Sequence, residues 1–178
     1  MIRESYFWKN DLLNDAKKLR KMIIQKRWPE RSFVNFEKLI FRSFYSIRKL
    51  MDADKISSSF RTKNIQMVYH LSKGKPVTRL NWHRFNELFD LDCPHDGSIT
   101  LPKLCHQIVH SYVFQPVFNE GGFIAFFYVT SDRERQKRLL RISLNEVINL
   151  LEAIGKNYPS KSSMIFNKKR RDYDVEIS

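Results

Sequence analysis

The sequence predicts an α+β fold on three observations. Two long amphipathic helical patterns fill residues 5 to 52. "FIAFFYV" and "LLRIS" read as strands beside short turns, and the S-L-N-E box at residues 143–146 opens a last helix. A chain of 178 residues holds one good core and is too short for two ordinary domains, so residues 1–156 are expected as a single domain. Residues 157–178 are expected as a charged, flexible C-terminal tail.

In residues 5–27, Trp8, Leu12, Ala16, Leu19 and Ile23 recur at three- and four-residue steps, with Lys9, Lys17, Lys18, Lys21 and Arg27 assigned to the other side. Trp28-Pro29 ends this helix, because proline disfavours helical geometry in the residue before it. Ser32 is expected to cap a second helix reaching Asp52. Its stripe is Phe33, Phe36, Ile40, Phe44, Ile47 and Met51. Glu37 and Arg48 project into the apolar half, so they either pair with other helices or line a cleft.

"NIQMVYHLSKGKPVTRL" reads as a hairpin around Lys73-Gly74-Lys75-Pro76. A brief helix or turn follows at "HRFNELF", then a polar loop, "DCPHDGS". Thr100 and Pro102 open a helix over "LPKLCHQIVHSY". "YVFQPVF", a Gly121-Gly122 turn and "FIAFFYV" form an extended region, and "SDRERQKR" links it to "LLRIS". Gly155 stops the last helix. The tail, with "NKKRRDYDVEIS", is either partly disordered or an edge strand.

Composition narrows function. Lys and Arg exceed Asp and Glu by 32 to 19, a net charge of +13, which favours an anionic partner and nucleic acid first. A G-x-x-x-x-G-K phosphate loop is absent from the sequence, which disfavours a nucleotide triphosphatase. The apolar run "FIAFFYV" is too short to cross a bilayer, so no membrane partner is expected. With two cysteines, Cys93 and Cys105, a reducing, cytoplasmic location is expected.

The candidate chemistry lies in "LPKLCHQIVHSY". His106 and His110 are spaced as zinc ligands of an H-E-x-x-H protease, but Gln107 replaces the glutamate that activates water and no third ligand is evident. Neither a metal nor another cofactor is expected. On a helical wheel Leu101, Leu104, Cys105, Ile108, Val109 and Tyr112 cluster, while Lys103, His106, Gln107 and His110 lie opposite. This ridge is either solvated or hydrogen-bonded to a neighbour, or it is an RNA-directed site. In the latter, His110 acts as general acid or base and Lys103 or an arginine stabilises charge on a phosphate.

The paired basic amphipathic helices, followed by a helix with a polar residue four before a histidine, resemble the HEPN superfamily. That family's motif is arginine, four to six residues, then histidine, often R-N-x-x-x-H. His110 takes the histidine position, His106 the asparagine position and Cys105 the arginine position. Lys103, with six intervening residues, falls within the spacing, and Arg48 is another substitute. "FYSIRKLMDADKIS", "LCHQIVHSYVF" and "SDRER" also resemble a group of uncharacterised bacterial proteins whose middle motif reads L-C-N-Q-I-I-H-S. The resemblance implies a HEPN-like helical bundle elaborated by a small antiparallel β-sheet. It further implies a homodimer, an antitoxin or other protein partner, and RNA engagement in bacterial defence or stress. Metal-independent RNA cleavage would then use His110 to move a proton, His106 to orient or share it, and Lys103 or Arg48 to offset charge. A non-catalytic interaction module, or sequence-tolerant nucleic-acid binding, remains the alternative.

A second basic feature is "SDRERQKR", which puts Arg133, Arg135, Lys137 and Arg138 on a tight connection. Such a turn is either a solvated face, partly neutralised by Asp132 and Glu134, or a prong contacting nucleic-acid phosphates. Lys168 to Arg171 would add a basic arm on the same terms.

Overall fold

The computed structural model describes residues 2–178. Its centre is a five-stranded sheet of β1 (Asn64–Leu71), β2 (His95–Thr100), β3 (Ser111–Phe118), β4 (Ile124–Ser131) and β5 (Arg138–Ser143), in the spatial order β2-β1-β5-β4-β3. All neighbours are antiparallel. Among the described residues six helices accompany it: α1 (Ser5–Met22), α2 (Glu30–Asp52), α3 (Ser59–Thr62), α4 (Phe85–Leu88), α5 (Leu101–Val109) and α6 (Leu144–Gly155). The class is α+β, but the expected HEPN-like helical bundle with a small sheet is overturned. The sheet organises the core, and the helices cover it.

Alternation along each strand divides the sheet into two faces. Ile65 and Met67 of β1, Phe127 and Val129 of β4, and Leu140 and Ile142 of β5 join the larger core. The helices supply its other half, including Leu12 and Leu19 of α1, Phe36 and Phe44 of α2, and Val147 and Leu151 of α6. Phe36, Phe114 and Phe127 form a ring cluster across this layer, with centroids 5.0 to 6.3 Å apart. Beneath the opposite face, Val113, Tyr128 and Leu139 pack against Val77, Leu88 and Phe89 from residues 72–91. His70 is also buried, with Nδ1 3.1 Å from the Asp90 carbonyl and Nε2 without a partner among the described residues.

Several elements differ from expectation for local reasons. Residues 73–76 do not close a hairpin. β1 pairs instead with β2, in register from Asn64↔Thr100 to Tyr69↔His95, and β2 arises from the segment read as a polar loop. β2 is an edge strand with only Ile99 buried, so it lacks the alternation that marks a strand in sequence. Gly97 suits that place, because a Cβ would stand 3.1 Å from the Tyr69 ring and the ring would have to shift to admit it. The other edge, β3, carries Pro116 and two register irregularities, at Ser111/Val113 and Val117/Phe118.

Helix α1 stops at Met22, not Arg27. The Gln25 side chain donates to the Arg27 carbonyl at 2.6 Å and the Trp28 indole donates to the Gln25 carbonyl at 2.9 Å, making a turn before Pro29. Ser32 does not cap α2; Pro29 occupies that position, and the Ser32 hydroxyl accepts from Gln25 instead. The tail does not add to the sheet. It forms a separate hairpin of β6 (Ser162–Asn167) and β7 (Asp172–Ile177). The Ser58 amide donates to the Ile177 carbonyl at 2.8 Å and the Ile177 amide donates to Ser58 Oγ at 3.0 Å, fastening the hairpin base to the body. No helix among the described residues is long and apolar enough to cross a membrane.

Candidate functional site

The short helix α5 starts at Thr100, with Pro102 in its first turn where the missing amide hydrogen has no helical partner to lose. Leu101, Leu104, Cys105 and Ile108 are buried against α2 and the sheet. Gln107 is buried too, contrary to its expected place on the polar ridge, whereas Val109, expected inside, is exposed. The Gln107 Oε1 accepts the Ser131 amide at 2.8 Å. That bond fixes α5 to the end of β4, where the charged turn begins.

The turn is compact. Glu134 and Arg135 amides donate back to the Ser131 carbonyl, Lys137 and Arg138 amides donate to the Glu134 carbonyl, and the Asp132 amide donates to the His110 carbonyl at 3.2 Å. The helix end and the turn therefore form one hydrogen-bonded unit. Between them and the C-terminal half of α2 lies an open groove of about 430 Å³. Arg48, Lys103, Arg133 and Arg138 line it together with His106 and Glu134.

Four of the sequence-predicted cations thus converge, from α2, α5, the charged turn and the start of β5. Arg48 does not project into the apolar half as expected; it is exposed and holds both Asp52 oxygens at 3.0 Å. Glu37 is likewise exposed. Arg138 pairs with Glu134 at 3.2 Å, while Lys103 and Arg133 make no ion pair among the described residues. Arg135 and Lys137 are not on the groove wall. Arg135 lies 3.9 Å over the Tyr112 ring and pairs with Asp132, and Lys137 pairs with Glu134 at 3.6 Å.

His106 stands in the groove, half-buried. Burial, followed by the adjacent His110, Arg133 and Arg48, holds its imidazole below the ordinary value of 6.5, with Glu134 opposing. His110 caps the C-terminus of α5, is exposed, and sets its ring 4.7 Å from that of His106. Cys105, at the position where the HEPN motif has arginine, is sealed in the core, and burial pushes its thiol up to about 12. It therefore neither contacts a ligand nor acts as a nucleophile.

Two features went unread in the sequence. Gln107 stood out only as a failed glutamate, yet it positions the turn. Lys9, assigned to the polar side of α1, is 1 % exposed. Its spacing to Leu12, Ala16 and Leu19 repeats the apolar steps, and that signal was available. Among the described residues, no group of three or more His, Cys, Asp or Glu side chains is placed to hold a metal ion. Comparison of the chain with protein-family models, with curated proteins and with solved structures gave no match.

Proposed function

We propose that the groove beside α5 binds the RNA backbone and that His106 and His110 cleave it by proton transfer. The observation that carries this reading is an imidazole held below its ordinary value among four cations, with a second imidazole beside it and open access from solvent. Neutral His106 takes the proton from a ribose 2′-hydroxyl as its oxygen attacks the adjacent phosphorus. The bond from phosphorus to the 5′-oxygen breaks, and His110 gives that oxygen a proton. The products are a 2′,3′-cyclic phosphate and a free 5′-hydroxyl. Lys103 and Arg133, having no acidic partner of their own among the described residues, offset the charge that builds on the phosphate oxygens. Arg48 and Arg138 keep the approach positive while tethered to Asp52 and Glu134. The setting is the cytoplasm, where the free thiols Cys93 and Cys105 remain reduced.

The test is RNA cleavage in the presence of a chelator, comparing the parent with His110→Ala and His106→Ala. Loss of general acid or base lowers the rate by about a hundredfold or more. Equal cleavage by parent and variants would assign the activity to a contaminant and retire the mechanism. Binding is tested separately: the net charge of +13 predicts an affinity that falls steeply with salt, and Arg133→Ala lowers the salt slope by about one unit. Salt-dependent binding without cleavage would support sequence-tolerant RNA binding instead.

A further inference from the structure

A second cavity lies elsewhere, between the C-terminal hairpin and the ends of α1 and α2, with a volume of about 720 Å³. Its size is that of a small-molecule site, for which roughly 300–1,000 Å³ is usual. Lys9 forms part of its wall and is 1 % exposed, yet its ammonium has no hydrogen bond or ion pair among the described residues. The Lys9 Nζ stands 4.2 Å over the Tyr158 ring, which lines the same cavity. With no hydrogen bond or ion pair of its own among the described residues, this largely enclosed ammonium is open to an anion that enters the cavity. The backbone of Lys9 is held close to α6. A Cβ on Gly155 of α6 would stand 3.0 Å from the Lys9 carbonyl and 2.7 Å from Leu13, so the two helices are in close contact there.

Two of the three acids on the rim are already paired with arginines. Asp52 holds Arg48 at 3.0 Å, Asp54 holds Arg61 at 2.6 Å, and Asp172 accepts the Tyr173 amide at 2.8 Å. Lys55 and Lys161, by contrast, line the cavity without an acidic partner among the described residues. Burial, and then Lys55, lowers the Lys9 pKa from its ordinary value, with Glu4 opposing. Three ammonium groups around one space suit a doubly charged phosphate better than a single carboxylate.

The opposite wall is apolar. The register Phe166↔Tyr173 and Met164↔Val175 puts these four side chains on one face of the hairpin. Met164, Tyr173 and Val175 line the cavity, and both Met164 and Tyr173 remain more than half exposed. An open wall with an aromatic ring suits a flat apolar group laid against it.

We propose that this cleft binds a phosphate monoester carrying a flat ring, a ligand of the mononucleotide class. Its phosphate sits on Lys9, Lys55 and Lys161, and its ring lies against Tyr173 and Met164. The site is separate from the α5 groove and does not depend on RNA cleavage there.

Isothermal titration calorimetry with AMP, inorganic phosphate and adenosine tests it on the full chain. AMP is expected to bind at one per chain, and phosphate and adenosine each at least about tenfold more weakly. Lys9→Gln is expected to weaken AMP at least about tenfold without lowering the melting temperature, because it removes a largely enclosed charge that makes no hydrogen bond or ion pair among the described residues. Tyr173→Ala, at an exposed position, provides the second variant and is expected to weaken AMP while leaving phosphate binding unchanged. Lys103→Ala with Arg133→Ala is expected to leave AMP binding intact, which separates this site from the α5 groove. No binding of AMP at millimolar concentration, or equal affinity in parent, Lys9→Gln and Tyr173→Ala, would overturn the proposal. Phosphate binding as tightly as AMP would overturn the assignment of the ring.

Discussion

The two faces of the central sheet are closed by different means. On one, four helices deliver continuous apolar stripes, and Phe36, Phe44 and Phe127 are completely buried. On the other, the segment 72–91 has little regular structure and closes over a smaller cluster built on Phe89, Leu139 and Tyr128. The helical face buries Asp15, which accepts from Arg42 and Ser43, and Gln107, which accepts from Ser131, but it also leaves Ser131 Oγ without a partner among the described residues. The second face buries His70 Nε2 and Thr130 Oγ1, both without a partner among the described residues. Helices satisfy their own backbone and so can be packed for volume. An irregular segment must spend side chains and bridges on its backbone, as Gln136 does in holding both the amide and the carbonyl of Val77.

This contrast predicts a graded response to substitution. Phe36→Ala should cost about 3–5 kcal/mol and lower the melting temperature of the whole domain. Phe89→Ala should cost less, about 2–3 kcal/mol, because the irregular segment can collapse into the space or open locally. Limited proteolysis should then cut within residues 72–91 before the rest unfolds. Equal global losses from both substitutions would show the two faces to be one cooperative unit.

Gln107→Ala comes next. It leaves the buried Ser131 amide without its acceptor, at a cost of about 1–3 kcal/mol by denaturant titration. It should also speed hydrogen exchange at Ser131 and weaken the RNA binding proposed for the groove, through the displaced Arg133. Unchanged exchange would mean that the turn holds itself in place.

The smallest effect is on pH. Burial, with help from Arg141 and His95, holds His70 below its ordinary value of 6.5, against the opposing Asp90 carbonyl and carboxylate. The unfolded chain therefore takes up this proton first as pH falls. His70 contributes fully above about pH 6.5 and loses that contribution as pH drops toward its folded value. His70→Phe should flatten the acid side of the stability curve, measured by denaturation between pH 7 and 5. An unaltered curve would place the acid sensitivity on other groups, His106 among them.

The helices were legible because their periodicity is local: the stripe from Phe33 to Met51 spells α2 without reference to anything else. The prominence of the sheet was not. Its pairs β1–β2 and β1–β5 join segments far apart in sequence, and β2, with Gly97 and Asp96 in its centre, has one buried residue to announce it. For the candidate groove, the chain indicated Lys103, His106 and the basic turn, but not which of the turn's arginines faces inward. That choice is made by the return of β5 from Glu134, which turns Arg133 and Arg138 one way and lays Arg135 on Tyr112. Lys9 was misread because lysine is polar by type, while its position in the helix is that of a core residue.

The two outer strands have a consequence for how this basic chain behaves in a crowded cell. Pro116 removes an amide from β3 and the irregularities at either end twist that margin, while β2 offers six residues with Asp96 and Gly97 at the middle. Neither margin is a good template for a foreign strand, so the molecule is insulated against fibril-like stacking through its main sheet. Association with another copy or partner would then run through its helices or the terminal hairpin.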